Sequence, residues 1–181
     1  MIREFSVKAK PSNNNARLAF SVSCALGLGL VLLSLVIPLY RGIVSLVGML
    51  MLVLAITLYT KYVSPVFYYD VTFDSEGTPL FVVRQMIGKR ETTLCRIGLN
   101  EVMKIERESS KERAAHKTPY GFRTYSYLPT LMPEVSYRIT SMSRYEKSEI
   151  LIEVSEEFAS LLRSYSAEAR ELAKLNDNDE Y

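Results

Sequence analysis

The sequence predicts a membrane helical hairpin followed by an α+β soluble domain, a seven-stranded antiparallel roll closed by a C-terminal helix. Three observations predict it. No charged side chain lies between Arg17 and Arg41, and a second uncharged run covers residues 42–60. At about 23 and 19 residues these runs bracket the roughly 20 that a helix needs to cross a hydrocarbon core. From residue 66 onward, short stretches alternate apolar and polar side chains at the two-residue period of half-buried strands. After Ser155 the apolar residues change to helical spacing.

The chain accordingly divides into a leader (1–16), a two-helix hairpin (17–63, with helices at about 18–40 and 42–62), a soluble domain (64–175) and an acidic tail (176–181). The soluble part has the size of one domain with a single hydrophobic core. A net charge of +2 is too small to imply nucleic acid, and its distribution says more than its total. Arg3, Lys8, Lys10 and Arg17 precede the first apolar run against Glu4 alone, whereas the hairpin turn carries only Arg41. By the positive-inside rule both termini are cytoplasmic, in a two-pass plasma-membrane protein whose turn at residues 38–42 faces outward. Tyr40, Tyr59 and Tyr62 fall near the span ends, where aromatic rings favour the headgroup level. A cleaved signal peptide fits less well, because the leader is long and a second span follows at once.

Within the first run Ser21, Ala25 and Gly29 recur at four-residue spacing, with Ser23 and Gly27 beside them. Small residues at that spacing let helices approach closely. Packing against Ser45, Gly48 and Ala55 of the second span is preferred to a dimer face, since so short a turn forces antiparallel neighbours. Neither span has an ionisable residue in its middle, which argues against transport. Cys24 and Cys95 are expected to stay unpaired, one in a span and one in the soluble domain. The single histidine, His116, lies in a polar stretch and reads as a solvated loop residue; no cofactor and no metal set is expected.

The strands follow in order. Residues 66–74 alternate Tyr69, Val71 and Phe73 with Asp70, Thr72 and Asp74, and Ser75, Glu76 and Gly77 supply a turn. Residues 80–86 and 91–97 flank the Gly88-Lys89 break, so the first three strands form a meander. A fourth strand covers 101–108 with Val102 and Ile105 apolar, the polar stretch 109–120 is a loop, and 120–128 is an aromatic strand bounded by Pro129 and Pro133. Residues 134–142 and 149–154 complete the set. Ser155 then serves as N-cap, Glu156 and Glu157 complement the helix dipole, and Phe158, Leu161, Leu162, Tyr165, Ala169 and Leu172 form one stripe ending near Lys174.

The aromatic first strand (Tyr68 to Phe73), the apolar second strand (Leu80 to Val83), the Gly-basic turn (Gly88 to Arg90) and the Ile97 to Leu99 step resemble bacterial membrane proteins that carry a pleckstrin-homology-like (PH-like) domain after transmembrane helices. The ending at residues 150–163 is similar to their last strand and helix. The resemblance implies a platform for lipid head groups, peptides or proteins, and identifies a fold rather than an activity. The basic pattern of inositide-binding members is missing: the first strand has no Lys or Arg, the loop after it is acidic, and only Arg84 lies on the second strand.

The expected function is therefore a membrane-tethered interaction module that binds a protein or peptide partner or a second copy of itself. An anionic-lipid surface sensor is the alternative, with Arg84, Lys89, Arg90 and Arg96 as its basic surface. Ten basic against five acidic side chains lie between Arg84 and Arg123, an excess diluted by interspersed acids. An enzyme subunit has less support, because no nucleophile elbow, phosphate loop or His/Cys cluster is present. In the leader, Ile2, Phe5 and Val7 alternate imperfectly with polar residues, and two outcomes balance: residues 3–8 add a strand to the domain, or they only set topology.

Overall fold

The computed structural model of the 181-residue chain describes residues 2–9, 14–37, 40–75, 77–143 and 146–179. It separates into two compact units, Pro11–Pro65 and Met1–Lys10 together with Val66–Tyr181.

The first unit is helical. α1 (Asn14–Val36) and α2 (Arg41–Leu58), the latter prolonged by a π-helical turn at Tyr59–Val63, are both long and apolar enough to cross a membrane. α1 starts and stops about four residues earlier than the apolar run suggests. Ile37 precedes Pro38, and the residue before a proline is disfavoured in a helix. The middle of the expected outward turn, residues 38 and 39, lies outside the described residues. Along the helices Ser34 donates to the Val31 carbonyl and Thr57 to that of Val53. The close approach of the two helices is made at Gly27 and Gly48. A Cβ on Gly27 would come within 2.9 Å of Leu52 and 3.1 Å of the Gly48 carbonyl, and one on Gly48 within 2.9 Å of Val31. This corrects the expected packing stripe. Ser21, Ala25 and Gly29 are exposed, because at 100° per residue a position two removed from Gly27 points to the opposite side of the helix.

The second unit is α+β. Its first sheet has the order β1 (Phe5–Lys8), β2 (Pro65–Phe73), β3 (Pro79–Ile87), β4 (Arg90–Gly98). Its second has the order β5 (Val102–Ser109), β7 (Val135–Met142), β8 (Lys147–Ile152), β6 (Phe122–Ser126). The seven-stranded, wholly antiparallel arrangement is thereby corrected in two respects. The leader supplies an eighth described strand: β1 pairs antiparallel with β2, Phe5 opposite Val71 and Lys8 opposite Tyr68. And β6 runs parallel to β8, Tyr125 opposite Ile150, because β7 folds back on β8 as a hairpin partner and leaves β6 the far edge of that strand. Residues 110–115, expected as loop, form a short helix, α3 (Ser110–Ala115), closed by a capping box in which the Ser109 hydroxyl accepts from the Glu112 amide and the Glu112 carboxylate from the Ser109 amide.

The inward faces of both sheets meet in one core of Tyr69, Val71, Phe81, Val83, Ile139, Ile150 and Ile152, joined by Leu99 and by Leu162 of α4 (Glu156–Asp179). Burying each such side chain stabilises by about 1.5–3 kcal/mol. Tyrosine hydroxyls link the sheets, Tyr69 donating to the Tyr127 carbonyl at 2.8 Å and Tyr127 to that of Leu94 at 3.3 Å. Burial pushes the Tyr69 hydroxyl far up from its ordinary value, so it remains a donor. α4 is capped by Ser155, whose hydroxyl accepts from the Phe158 amide. It buries Phe158, Ala159, Leu162, Ser166 and Ala169, whereas Leu161 and Leu172 of the expected stripe are exposed on its flank. The helix continues through Asp179 rather than ending near Lys174, since no Gly or Pro interrupts residues 175–179. β1 contributes to the same core: Ile2 and Ala9 are buried, and the Phe5 ring meets Phe158 and Tyr165 edge-on at 5.4 and 6.0 Å.

Candidate functional site

The four basic residues singled out from the sequence differ in their partners. Arg84, on β3, is half-buried and already paired: its guanidinium donates to Asp70 of β2 and to Glu91 of β4, and lies 5.9 Å over the Tyr68 ring. Hydrogen bonds to Asp70 first and Glu91 second hold Arg84 firmly charged, and that charge is spent inside the sheet. Asp70 is 1% exposed, and its second carboxylate oxygen has no hydrogen-bond partner among the described residues. Lys89 and Arg90 sit exposed at the β3–β4 turn, where Gly88 adopts a positive φ of 61°. Arg96 is exposed farther along β4, opposite Val82. Lys89, Arg90 and Arg96 have no ion pair among the described residues.

The densest cluster of titratable groups was not legible as a site in the sequence. It lies on the outward face of the second sheet. Arg138 of β7 is flanked diagonally by Glu108 of β5 and Glu149 of β8, because register sets Glu106 and Leu151 directly opposite it. Its side chain is 4% exposed. Nε and one terminal nitrogen each donate to a Glu108 oxygen at 2.9 Å, and the other terminal nitrogen donates to Glu149 at 2.7 Å. His116, an exposed loop residue in the segment after α3 as expected, also reaches the cluster. Its Nε2 lies 3.1 Å from both oxygens of Glu149, and its Nδ1 3.9 Å from Glu108. Arg113 ties the same segment down, donating to the Ser136 hydroxyl and the Pro133 carbonyl at 2.6 and 2.9 Å.

Arg138 holds the two carboxylates together, and His116 joins them from one side. Of the His116 ring nitrogens, Nε2 is engaged by Glu149, whereas Nδ1, 3.9 Å from Glu108, lies beyond hydrogen-bond reach of it. Burial pushes the pKa of the Cys95 thiol up to about 11, away from the thiolate form. It and Cys24 are both free. No family model matches the chain, and no curated protein and no solved structure does either.

Proposed function

We propose that the chain is a membrane-tethered interaction module: α1 and α2 cross the plasma membrane as a hairpin, and the α+β unit, a variant of the PH-like roll, works at the cytoplasmic face by binding a protein or peptide partner or a second copy. The observation that carries this reading is the pairing of β1 with β2. One strand precedes both apolar helices and the other follows them, so strands that share hydrogen bonds must lie on one side of any bilayer the helices cross. Two crossings satisfy that condition and one does not. The basic leader then argues for the cytoplasmic side.

The PH-like reading is supported by a four-stranded sheet whose last three strands form a meander, a second sheet, and a C-terminal helix laid on the core. The parallel β6 is where this unit differs from that pattern. A binding role is favoured over an enzymatic one by the engagement of His116 Nε2 with Glu149, itself held by Arg138, and by the raised Cys95 thiol. Cross-linking of the full chain in native membranes, followed by mass spectrometry, tests the proposal. A reproducible partner, or a cross-link between two copies, is the expected result. Absence of both, together with turnover of a small molecule by the purified full chain, would overturn it.

A further inference from the structure

The first sheet gathers three exposed basic side chains at one end. β2 and β3 are equal in length and are joined by a short turn in which the Asp74 amide donates to the Thr78 carbonyl. They therefore run antiparallel, and the far end of β3, Ile87, comes to the same end of the sheet as Pro65, where β2 begins. The register of β1 brings Lys8, opposite Tyr68, toward that end as well, and sends Glu4 toward the other, beyond the Phe5–Val71 pair. Lys89 and Arg90 follow Ile87 in the turn, with Ile87 opposite Arg90. One end of the sheet thus carries Lys8, Lys89 and Arg90, whereas the other carries Glu4 and Asp74 mixed with Arg3, and Arg96 lies toward it. The one carboxylate near the basic end, Glu91, is engaged by Arg84.

That basic end is also where the chain enters the sheet from the helical unit. Pro65 follows the last residue of the second candidate span, Val63, by two positions, at most about 7 Å of chain. Tyr59, Lys61 and Tyr62, just before it, are the residue types that settle at headgroup level. The chain therefore passes from the second candidate span into the sheet at this end of β2. At that end the turn presents an exposed isoleucine, 47% accessible, followed by two cations that are free of ion pairs among the described residues. An apolar side chain beside basic ones suits the boundary between acyl chains and anionic headgroups.

We propose that the end of the first sheet formed by Lys8, Ile87, Lys89 and Arg90 docks on anionic headgroups of the bilayer that α1 and α2 enter. The occupant is a lipid surface rather than a soluble phosphate, because a turn offers no enclosed cradle and the covalent tether holds it at the membrane. The surface is distinct from the loop after β2, whose acidic Asp74 lies at the opposite end. The proposal rests on the reading of α1 and α2 as spans.

Hydrogen exchange of the full chain in nanodiscs tests it, comparing pure phosphatidylcholine with a mixture rich in phosphatidylglycerol. Each basic residue near an anionic surface favours the docked state by about fivefold, ~1 kcal/mol. Amides of residues 86–91 should exchange several-fold more slowly on the anionic discs, and the difference should vanish in K89E/R90E and shrink at high salt. R96E, a charge reversal away from this end, should retain it. Equal exchange on both discs, or slowing that survives K89E/R90E, would overturn the proposal while leaving the spans intact. Failure of the chain to enter discs at all would overturn the span reading and this inference with it.

Discussion

Replacing Arg138 with methionine should be among the most damaging single changes in the strand unit. The side chain is 4% exposed and makes three charge-assisted hydrogen bonds, two to Glu108 and one to Glu149, at 2.7–2.9 Å. Methionine preserves most of the volume, so the loss is electrostatic: two carboxylates, 11% and 4% exposed, remain side by side with His116 and the Thr124 hydroxyl to answer them. Breaking a buried pair by removing one partner costs about 3–5 kcal/mol, against about 5–15 kcal/mol for a whole domain. For a unit of this size each kcal/mol shifts the midpoint by about 3–5 °C, so R138M should lower it by roughly 10–20 °C. The assay is thermal unfolding of the full chain in detergent, followed through the β-sheet signal of circular dichroism. The triple replacement E108L/R138M/E149L removes charges together and should recover most of the loss, since buried ion clusters can often be exchanged for apolar groups near neutrality. A drop of only a degree or two for R138M would refute the argument that this cluster is a buried clamp.

Other consequences are separable. Gly27→Leu should disrupt the helical hairpin, because its Cβ already meets Leu52 at 2.9 Å, whereas Gly29→Leu, with open space around it, should be silent; migration and thermal stability of the purified chain report both. Cys95, with its pKa pushed up to about 11 by burial, should react with iodoacetamide at neutral pH far more slowly than a free thiol of ordinary pKa near 8.5. Since its folded value is raised above the unfolded one, Cys95 stabilises fully below about pH 9 and the contribution is lost as pH rises through about 11; Cys95→Ser should remove that alkaline step from the stability profile. Phe5→Ala should cost about 2 kcal/mol through lost contact with Phe158 and Tyr165, seen as a lower unfolding midpoint, while Arg3→Ala should have little effect.

What the sequence revealed follows from how local each signal is. β2 could be read because Tyr69 and Val71 alternate with polar residues and one face is buried, a pattern contained in the strand itself. The hairpin could be read because uncharged length alone carries it. Partner choice is different. Nothing in residues 122–126 says that they lie parallel to β8, since that pairing depends on where β7 goes. α3 has no buried residue and thus no apolar period, but Ser109 and Glu112 at capping-box spacing were a readable sign of a helix start. Arg138, Glu108, Glu149 and His116 come from four separate segments and meet only through register. The stripe Ser21, Ala25 and Gly29 and the parallel stripe through Gly27 have the same spacing, so the sequence could not say which one faces α2; the structure assigns the contact to Gly27.

The central claim is that a strand from before the apolar helices pairs with a strand from after them, and a cross-link in membranes tests it most directly. With Cys24 and Cys95 replaced by serine, Lys8→Cys and Tyr68→Cys become directly opposed positions, whose Cβ atoms stand about 4.5–5.5 Å apart in an antiparallel pair. Lys8→Cys with Thr72→Cys places the second thiol four residues along β2, roughly 13 Å away. Mild oxidation with copper phenanthroline should give a rapid intramolecular disulfide for the 8/68 pair and none for 8/72. No disulfide in 8/68, or equal yields from both pairs, would contradict the pairing and the shared side of the membrane that follows from it.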